Sequence, residues 1–589
     1  MKAMKKLNLG HYIGKYAFFY VIAFLCITGS VILDMTSPVI VQHIVDDVLV
    51  AKNIEPLKFL LLGILGIGVG RFIFQYAKEF ICDFCGSKIA CEIRINLFEK
   101  LQSLSANFFD KINSGELMSR VKDDVDSIWN VTAFMGILIA EVILRVISTM
   151  YFMLRINVFL TIIPCIAMIV TAYIAIKMER KLDTLYEQAA QENSELNNTA
   201  AENLAGVRTV KAFAREGFEI NKFHKHNQKY YELNIDLSRV FVKYNPKIQI
   251  ITKLLSVITL LIGGIFVIKG NPLTGGDKIT VGQLMAFLQY VGNIIWPLEM
   301  LGWLTNGLSS ARASISRLNK IYAEMPDITD AQTLGTDEEI SNSLFTAHDI
   351  AGNISFEHVT YKAGERKILD DVSFEIKAGQ TLGIMGATGS GKSTIINLLK
   401  RMYDVTDGCI KIDGIDIREI PLNALRSSIA TVMQDVFLFS DTIEDNVRLG
   451  AKESITTEEV RIALQKSHSM EFVSKMENKE QTVIGERGVG LSGGQKQRIT
   501  IARALARKTP VLVLDDSTSA LDTETEKDIQ QVLSELTGMT KIIIAHRISA
   551  VRKADKIIVL ENGKIAEEGT HEELLGKNGL YKETYDSQY

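Results

Sequence analysis

Two stretches of the sequence have the residue types and the spacing of a site that handles phosphate: GATGSGKST at residues 386–394 and VLVLDDSTSALD at residues 511–522. The first fits the pattern G-x-x-x-x-G-K-[ST] between the strand-like TLGIM and the helix-like IINLLK, which is the context that a phosphate-binding loop requires. Glycines let the backbone curl until its N–H groups point at phosphate, and the following helix directs its positive end there. We expect the phosphates to be held by Gly386, Ala387, Thr388, Gly389, Ser390, Gly391, Lys392, Ser393 and Thr394.

Three side chains in these stretches have individual predicted roles. Lys392 is placed to reach the terminal phosphates, and the Ser393 hydroxyl to ligate Mg²⁺. The apolar residues VLVL predict a buried strand that ends at Asp515, whose carboxylate would be a further anchor for Mg²⁺. This part of the chain is therefore predicted to bind ATP or GTP together with Mg²⁺.

The 589 residues fall into two halves of different composition. Long apolar stretches dominate up to about residue 308, whereas the chain from about residue 317 onward is typical of a soluble α/β protein. The net charge of −4 gives no support to nucleic-acid binding. Six scattered cysteines argue against a disulfide framework. Cys82 and Cys85 lack the second pair or nearby histidine of a metal site, so we interpret them as small thiols on a helix that leaves the membrane.

Six stretches of the first half have the ~20 apolar residues that a helix needs to cross a bilayer. They are Tyr16–Met35, Leu57–Phe80, Ile128–Leu154, Val158–Ile176, Ile248–Ile268 and Val281–Leu308. Four lysines precede the first span and place the N-terminus in the cytoplasm. We predict no cleavable signal peptide, because the first apolar run continues too far and has no small-residue cleavage site.

Two long polar connections, residues 82–127 and 177–247, then fall on the cytoplasmic side. They contain FFDKINSGELMSRVKDDVDSI and ENLAGVRTVKAFARE, in which a glycine or turn lies beside a short mixed segment. Helical patterning indicates that the spanning helices continue into the cytoplasm and that each connection presents a small helix at its tip. Such a tip would let a membrane domain sense movement in an attached soluble domain; a solvated helical hairpin without that role fits the same pattern.

Several ionisable residues lie at membrane depth, where a charge usually faces a bundle interior or a water-filled cavity. Glu141 and Arg145 are one helical turn apart, and we interpret them as a structural ion pair. Glu299 is a candidate for the transport pathway, and the nearby Pro297 is expected to bend the sixth helix. Lys253 is expected to extend its ammonium to the membrane interface.

The second half contains β-like segments separated by helical ones: ISFEHV, VSFEI, QTLGIM, IKIDG, IATVM, VLVLD, KIIIAH and KIIVLENGKI. Strands that alternate with helices predict a mainly parallel sheet, with a smaller antiparallel portion at its start. The predicted fold is a multi-domain membrane protein in which a six-helix α transmembrane domain is followed by an α/β P-loop ATPase domain. The predicted boundaries are residues 1–316 for the membrane domain, 317–350 for a linker and 351–589 for the nucleotide-binding domain.

The segment LSGGQKQRITIARALARKTPVLVLDDSTSALD resembles the signature-to-D-loop block of ATP-binding cassette (ABC) proteins. Gln434 of VMQD lies at the family's Q-loop position, Asp522 of SALD at its D-loop, and His546 of IIIAHR matches its switch histidine. The resemblance covers the whole chain, because six helices before one cassette is the arrangement of half-size ABC exporters. The two cytoplasmic connections also resemble that family's coupling segments.

This resemblance implies a dimer in a cell membrane, with each nucleotide between the phosphate loop of one cassette and the signature segment of the other. The signature residues that would meet a γ-phosphate bound by the partner are Ser492, Gly493, Gly494 and Gln495. Asp516, Gln434 and His546 would act in hydrolysis, and Gln434 would also ligate Mg²⁺. ATP binding would close the cassettes, hydrolysis would let them part, and the coupling segments would convert that motion into alternating access.

The chain departs from the family pattern at three positions. Asp516 stands where the family usually has the glutamate that orients the attacking water, and a shift of about 1 Å in a positioning group costs about a hundredfold in rate. Ala363 stands where an aromatic residue usually stacks on adenine, and Tyr361 is the candidate substitute if the loop slips. Val483 stands where the family often has an acidic residue.

Two of these changes weaken the site around this chain's own phosphate loop, whereas the signature segment that it lends to a partner is intact. This one-sidedness predicts a heterodimer with a second ABC half-transporter, in which this chain's own site hydrolyses ATP slowly; a homodimer with Asp516 as a slow base stays open. The predicted function is ATP-driven export of amphipathic small molecules, lipids or peptides across the cell membrane by alternating access. A lipid flippase and a regulatory or channel-like ABC protein are the alternatives.

Overall fold

The computed structural model describes residues 6–270, 278–330, 350–451, 454–485, 488, 490–518 and 521–588. Within the last membrane-domain helix it leaves the side chains of residues 296, 298, 299, 301–303, 305 and 306 undescribed, so the side chain of Glu299 lies outside the described part. The chain forms two compact units. The first comprises Met1–Ser103 and Ile112–Met325, and the second comprises Leu104–Lys111 and Pro326–Tyr589.

The first unit, called the membrane unit below, is helical. The short helix α4 lies between two of its helices in the sequence but belongs to the second unit. The helices are α1 Leu9–Lys15, α2 Ala17–His43, α3 Leu57–Gln102, α4 Ala106–Lys111, α5 Ser114–Ser119, α6 Val125–Asn130, α7 Gly136–Ile156, α8 Val158–Ala205, α9 Val207–Ala212, α10 Glu216–Lys269 and α11 Val281–Ala323. A wider π-helical turn at Ile44–Val50 follows α2. Two more, at Arg120–Asp124 and Val131–Met135, join α5, α6 and α7 into one continuous helical segment. Small helices therefore lie at both predicted cytoplasmic tips, α4 in the first connection and α9 in the second.

Five helical segments of the described chain are long and apolar enough to cross a membrane: Ala17–Val50, Leu57–Gln102, Ser114–Ile156, Val158–Ala205 and Glu216–Lys269. The sixth predicted span corresponds to α11, whose apolar portion is Val281–Ile295 among the residues searched. The 54 residues of α10 extend ~80 Å at ~1.5 Å per residue, well beyond the ~30 Å hydrocarbon core of a bilayer. The long helices thus continue past the membrane, as the patterning of the two connections predicts.

A connected set of charged side chains joins helices of the membrane unit, with Arg71 and Glu79 about half exposed at its edge. Its members are Asp34, Arg71, Lys78, Glu79, Glu141 and Arg145. The Asp34 carboxylate of α2 accepts hydrogen bonds from Arg71 on α3 at 2.7 Å and from Arg145 on α7 at 2.5 Å. The buried Glu141 accepts from Lys78 at 3.0 Å and from Arg145 at 3.3 Å. The predicted Glu141–Arg145 pair is therefore present, and it belongs to a larger network that joins three helices.

We predict that Asp34→Asn destabilises the membrane unit, because Arg71 and Arg145 lose the carboxylate that they share. Removing one partner of a buried ion pair costs about 3–5 kcal/mol. The expected result is a lower melting temperature and a lower yield of folded protein in lipid nanodiscs. Asp47→Asn is the matched control, because Asp47 follows α2 and its side chain is 56% exposed. Equal melting temperatures for the two variants would contradict a structural role for Asp34.

The second unit contains two sheets. Their strands are β1 Ile354–Ala363, β2 Arg366–Ile376, β3 Thr381–Gly386, β4 Asp407–Ile412, β5 Ile415–Asp416, β6 Ile429–Val432, β7 Val511–Asp515, β8 Thr540–Ile544, β9 Lys556–Glu561 and β10 Lys564–Gly569. The smaller sheet is antiparallel in the order β2-β1-β4-β5. The larger has the order β10-β9-β3-β8-β7-β6, in which every neighbouring pair is parallel except β9–β10. A mainly parallel sheet with an antiparallel portion is what the strand pattern predicts.

Helices cover the larger sheet and connect its strands. They are α12 Lys392–Leu399, α13 Leu422–Ser428, α14 Ile443–Val447, α15 Thr457–Lys466, α16 Met470–Val473, α17 Gly493–Ala506, α18 Thr523–Glu535, α19 Ile548–Val551, α20 His571–Gly576 and α21 Leu580–Gln588, with a short 3₁₀ helix at Lys479–Gln481. The central strands β3 and β7 are almost completely buried, as their apolar sequences require. Their carboxyl ends carry the two stretches from which the phosphate site was predicted.

The structure differs from the sequence prediction in two details. The segment KIIVLENGKI forms the two strands β9 and β10 instead of one, because Asn562 and Gly563 adopt left-handed φ angles of 49° and 79° that close a tight hairpin turn. The helix α11 runs through the predicted domain boundary at residue 316 and ends at Ala323. Residues 331–349 of the predicted linker lie outside the described part of the chain.

Candidate nucleotide site

The phosphate loop lies between the buried strand β3 and the helix α12. Gly386 has φ +145°, and a Cβ on this residue would lie 2.3 Å from the carbonyl oxygen of Leu560. Gly391 has φ +102°, and a Cβ there would lie 2.6 Å from Leu369 Cδ2. Both positions therefore need glycine for conformation and for space. The turn between them leaves Ala387, Thr388 and Gly389 exposed and buries Ser390.

Lys392, Ser393 and Asp515 come together at the carboxyl edge of the sheet. The Lys392 ammonium donates hydrogen bonds to the carbonyl oxygens of Gly386 and Ala387, both at 2.8 Å, which holds it over the loop. The Ser393 hydroxyl hydrogen bonds to the Asp515 carboxylate. Burial raises the pKa of Asp515, although Ser393 and Lys392 favour its ionised form, and burial lowers the pKa of Lys392.

Asp516 follows β7, and hydrogen bonds hold both its backbone N–H and its backbone carbonyl. Its φ is +44°, in the left-handed region, where Asp is better tolerated than most residues. Its N–H donates to the carbonyl oxygen of Ile544 at 2.9 Å, and its own carbonyl accepts from the side chain of Gln497 at 3.1 Å. Gln497 was not identified from the sequence; it is a polar residue on the mainly apolar buried face of α17, which was the available indication.

Gln434 and His546 approach the same edge from β6 and β8, the two strands that flank β7. Gln434 is exposed and lies two residues beyond β6, which pairs with β7 so that Val432 is opposite Leu514. His546 lies two residues beyond β8, which pairs with β7 so that Ile544 is opposite Asp515. The structure thus brings four separate segments of the sequence to one edge of the sheet.

Tyr361 lies on β1, where the pairing with β2 shifts register between Tyr361 and Lys362. Its ring is in contact with that of Tyr403, with centroids 5.7 Å apart, and is packed against the core between the two sheets. Ala363 is the last residue of β1. The ring of Tyr361 therefore has a packing partner within the protein, which the sequence did not indicate.

The signature residues begin the helix α17. Ser492 is its N-cap: the Ser492 hydroxyl accepts from the Gln495 N–H at 3.3 Å, and the Gln495 side chain accepts from the Ser492 N–H at 2.9 Å. This reciprocal cap uses the Gln495 side chain and fixes the start of the helix. Gly493 and Gly494 occupy the first turn, where backbone N–H groups have no partner within the helix and the helix dipole is positive. Val483 is exposed, and Asp522 caps α18.

The tip helix α4 contacts the nucleotide-binding fold within the second unit. Asp110 of α4 accepts a hydrogen bond of 2.8 Å from the hydroxyl of Tyr403, the residue whose ring contacts Tyr361. Burial, followed by the contact with Asp110, raises the pKa of Tyr403 to about 12, so it stays protonated and able to donate at neutral pH. Asn107 donates to Asp327 at 3.0 Å in the same region. One tip is therefore joined to the neighbourhood of the predicted adenine site.

Two family descriptions match this chain. Residues 20–298 match the family described as ABC transporter transmembrane region, and residues 369–519 match the family described as ABC transporter. The fold agrees with a solved structure of a bacterial Atm1-family ABC exporter with ATP bound, at a TM-score of 0.81 and 27% identity over 97% of this chain and 98% of that one.

Curated relatives agree over nearly the whole length. An ATP-dependent lipid A-core flippase of Desulfotalea psychrophila is 34% identical over 93% of each chain. A probable multidrug resistance ABC transporter of Bacillus subtilis, YheI, is 32% identical over 99% of this chain and 97% of its own. An ABC transporter ATP-binding protein of the same organism, YknU, is 33% identical over all of this chain and 98% of its own. The chain therefore belongs to the ABC transporter family, as a half-size exporter that crosses the membrane several times and whose cytoplasmic cassette couples ATP hydrolysis to transport.

Proposed function

We propose that this chain is the subunit of a heterodimeric exporter whose own phosphate loop retains ATP and hydrolyses it slowly, while its signature segment serves the faster site. The observation that carries the proposal is Asp516, the shorter acid that follows the buried Asp515. ABC exporters act as dimers in a bilayer, so each chain contributes to two nucleotide sites. The departures of this sequence from the family pattern affect only one of these two sites, the one built around its own phosphate loop.

The backbone geometry supports a slow site. The N–H and C=O of Asp516 are held by Ile544 and Gln497, at 2.9 Å and 3.1 Å. Because the backbone is held on both sides, it cannot move forward to compensate for a missing methylene, and the carboxylate falls short of the glutamate position by about 1 Å, a displacement that costs about a hundredfold in rate. The phosphate loop, Asp515, Gln434 and His546 meet at the same edge of the sheet, which supports retained ATP binding.

The signature segment supports an active role at the other site. The reciprocal cap between Ser492 and Gln495 uses the N–H of Gln495 and does not use the N–H groups of Gly493 and Gly494 in the first turn of α17. Those two groups are what a γ-phosphate on the partner cassette would meet. No rearrangement of this segment is required before it can act.

The residues at the phosphate loop also fit Mg²⁺. This ion takes oxygen ligands and is usually held by one or two protein groups together with phosphates and water. Ser393 and Asp515 are an oxygen pair already in hydrogen-bond contact, and the exposed Gln434 can approach from β6. Among the described residues no group of three or more His, Cys, Asp or Glu forms a metal site by itself, so phosphate oxygens would complete the coordination. Bound Mg²⁺ would neutralise charge on the phosphates.

The protein residues then divide the work of hydrolysis. Lys392 would leave the carbonyls of Gly386 and Ala387 for the terminal phosphates. Asp516 would orient the attacking water, and His546, next to Asp515, would hold the γ-phosphate from the opposite side.

Movement of the cassettes would reach the membrane helices through the tip helices α4 and α9. Helix α4 belongs to the cassette unit and is separated from α3 only by residues 103–105, so its displacement is transmitted directly to a membrane helix. The second tip, α9, is followed by Phe213, whose side chain is 74% exposed and is available to a partner cassette.

The proposed cargo is amphipathic: a small molecule, a lipid or a peptide. Relatives include a lipid A-core flippase and a probable multidrug resistance transporter, and the long helices of this chain present extensive apolar faces. A homodimer with Asp516 as a slow base, or a flippase that releases nothing outside, uses the same geometry. Purification of the native complex tests the partner, and reconstitution with fluorescent lipids and dyes tests the cargo.

We predict that Asp516→Glu raises ATP turnover at this chain's own site about tenfold or more, because the carboxylate regains the missing reach. The left-handed φ favours Asp over Glu, so the melting temperature should fall slightly while the rate rises. The measurement is single-turnover hydrolysis by the purified complex. Asp516→Asn keeps the size and the backbone preference but has no carboxylate, and it should lower the rate. Equal turnover at both sites of the wild-type complex would contradict the asymmetry.

We predict that Lys392→Ala lowers ATP affinity at this site at least tenfold and blocks ATP-driven closure and transport, since a buried ammonium is lost from the phosphate position. Nucleotide binding and transport in proteoliposomes check this expectation. Lys508→Ala is the control, because the Lys508 side chain is 71% exposed and pairs with Glu459 at the surface. Normal transport by Lys392→Ala would refute the proposed mechanism.

We predict that Tyr403→Phe lowers transport roughly threefold per ATP hydrolysed, because a hydrogen bond to a charged group contributes about 1.5–3 kcal/mol and here joins α4 to the cassette. The ring contact with Tyr361 is retained in this variant. Transport and ATPase are measured on the same proteoliposomes. Asp110→Asn keeps an acceptor for the hydroxyl and should show a smaller loss. A parallel loss of both activities would point to misfolding of the cassette instead of uncoupling.

A further inference from the structure

The four residues His546–Ser549 follow β8 and include the first two residues of α19. They contain the histidine that is proposed to act on the γ-phosphate, and this histidine is exposed. An exposed imidazole has no packing that sets its position, so the position must come from the backbone and from the neighbouring residues.

Gln588 holds the backbone of the segment from one side. Its side-chain amide donates to the carbonyl oxygen of His546 at 2.8 Å, and its amide oxygen accepts from the N–H of Ile548 at 2.9 Å. One side chain thereby satisfies one backbone group on each side of Arg547. Both bonds must be made together to fix the direction of the His546 Cα–Cβ bond.

The helix that carries Gln588 is itself firmly attached. The Glu567 carboxylate accepts from the N–H groups of Leu580 and Tyr581 at the start of α21, at 2.6 and 3.1 Å. Tyr581 is 1% exposed, and its hydroxyl lies 2.7 Å from His571 Nδ1. The helix that carries Gln588 is therefore held in place at its start.

Glu526 of α18 holds the two side chains that follow. The buried Glu526 carboxylate accepts from Arg547 at 3.0 Å and from Ser549 at 3.4 Å. It also accepts at 3.4 Å from Thr518, which lies just beyond Asp515 and Asp516. The two segments that carry the acidic residues and the histidine thus share one buried carboxylate, and Gln588 completes the attachment from the other side.

We propose that Gln588 is a positioning residue for ATP hydrolysis: its amide fixes the backbone around His546, together with Glu526, so that the imidazole meets the γ-phosphate. The inference rests on the proposed role of His546. Positioning of a group within a fraction of an ångström is what such a role demands. Gln588 itself touches no nucleotide.

The test is a double-mutant cycle in the full-length transporter dimer in lipid, made in the Asp516→Glu background so that hydrolysis at this chain's phosphate loop contributes to the rate. Gln588→Ala should lower kcat roughly three- to tenfold and leave KM for ATP unchanged. In His546→Ala it should have no further effect, because the group that it positions is gone. Gln588→Glu keeps the acceptor for Ile548 but loses the donor to His546, and should fall between. Ser587→Ala is the control, since its hydroxyl donates within α21, to the carbonyl oxygen of Thr584 at 2.8 Å.

Hydrogen–deuterium exchange gives a second readout that is independent of rate. Gln588→Ala should speed exchange in the peptide that contains the Ile548 amide, with the melting temperature unchanged. Equal fold-changes in the presence and absence of His546, or no change in kcat, would overturn the role of Gln588. If His546→Ala itself leaves turnover unchanged, the proposed role of the histidine fails and this inference fails with it, which separates the two cases.

Discussion

The nucleotide-binding half depends on one electrostatic arrangement: a buried carboxylate and a buried ammonium at the carboxyl edge of a parallel sheet. Asp515 is the last residue of strand β7, and Lys392 begins helix α12 after the loop that follows strand β3. Strands β3 and β7 are separated in the sheet by β8 alone. Each charge is costly to bury, and each lowers the cost of the other. The glycines of the loop, the apolar strands beneath it and the hydroxyl of Ser393 all serve to keep these two charges together where phosphate binds.

Buried charge must also be compensated in the membrane unit, where the compensation comes from different partners. There the charges of Asp34 and Glu141 are compensated by cations from neighbouring helices. The packing of three helices against one another therefore depends on matched side chains at particular depths, as well as on apolar contact. The cassette keeps its two buried charges together where a ligand binds, whereas the membrane unit pairs its buried charges across helices. One chain thus uses buried charge for recognition at one end and for assembly at the other.

Much of this could be predicted from the sequence, because the determining patterns are local. The loop at 386–394, the strand before Asp515 and the tip helices are each read from consecutive residues. The network around Asp34 was missed because its partners are distant in sequence and the face of a uniformly apolar helix cannot be read from periodicity. Gln497 was missed for a related reason: its importance comes from the backbone of Asp516, which only the folded chain brings near. The hairpin at Asn562 and Gly563 had a readable turn pair, which the uninterrupted apolar run before it obscured.

The charge network in the membrane unit has an electrical consequence. Three cationic and three anionic side chains, Arg71, Lys78 and Arg145 with Asp34, Glu79 and Glu141, sum to zero when all are ionised. Moving one elementary charge through 100 mV of membrane potential involves about 2.3 kcal/mol, but a neutral cluster that moves as a body does no such work. Rocking of these helices is therefore electrically silent with respect to this cluster. Any voltage dependence of transport that remains would report the charge carried by the cargo or by groups elsewhere in the chain.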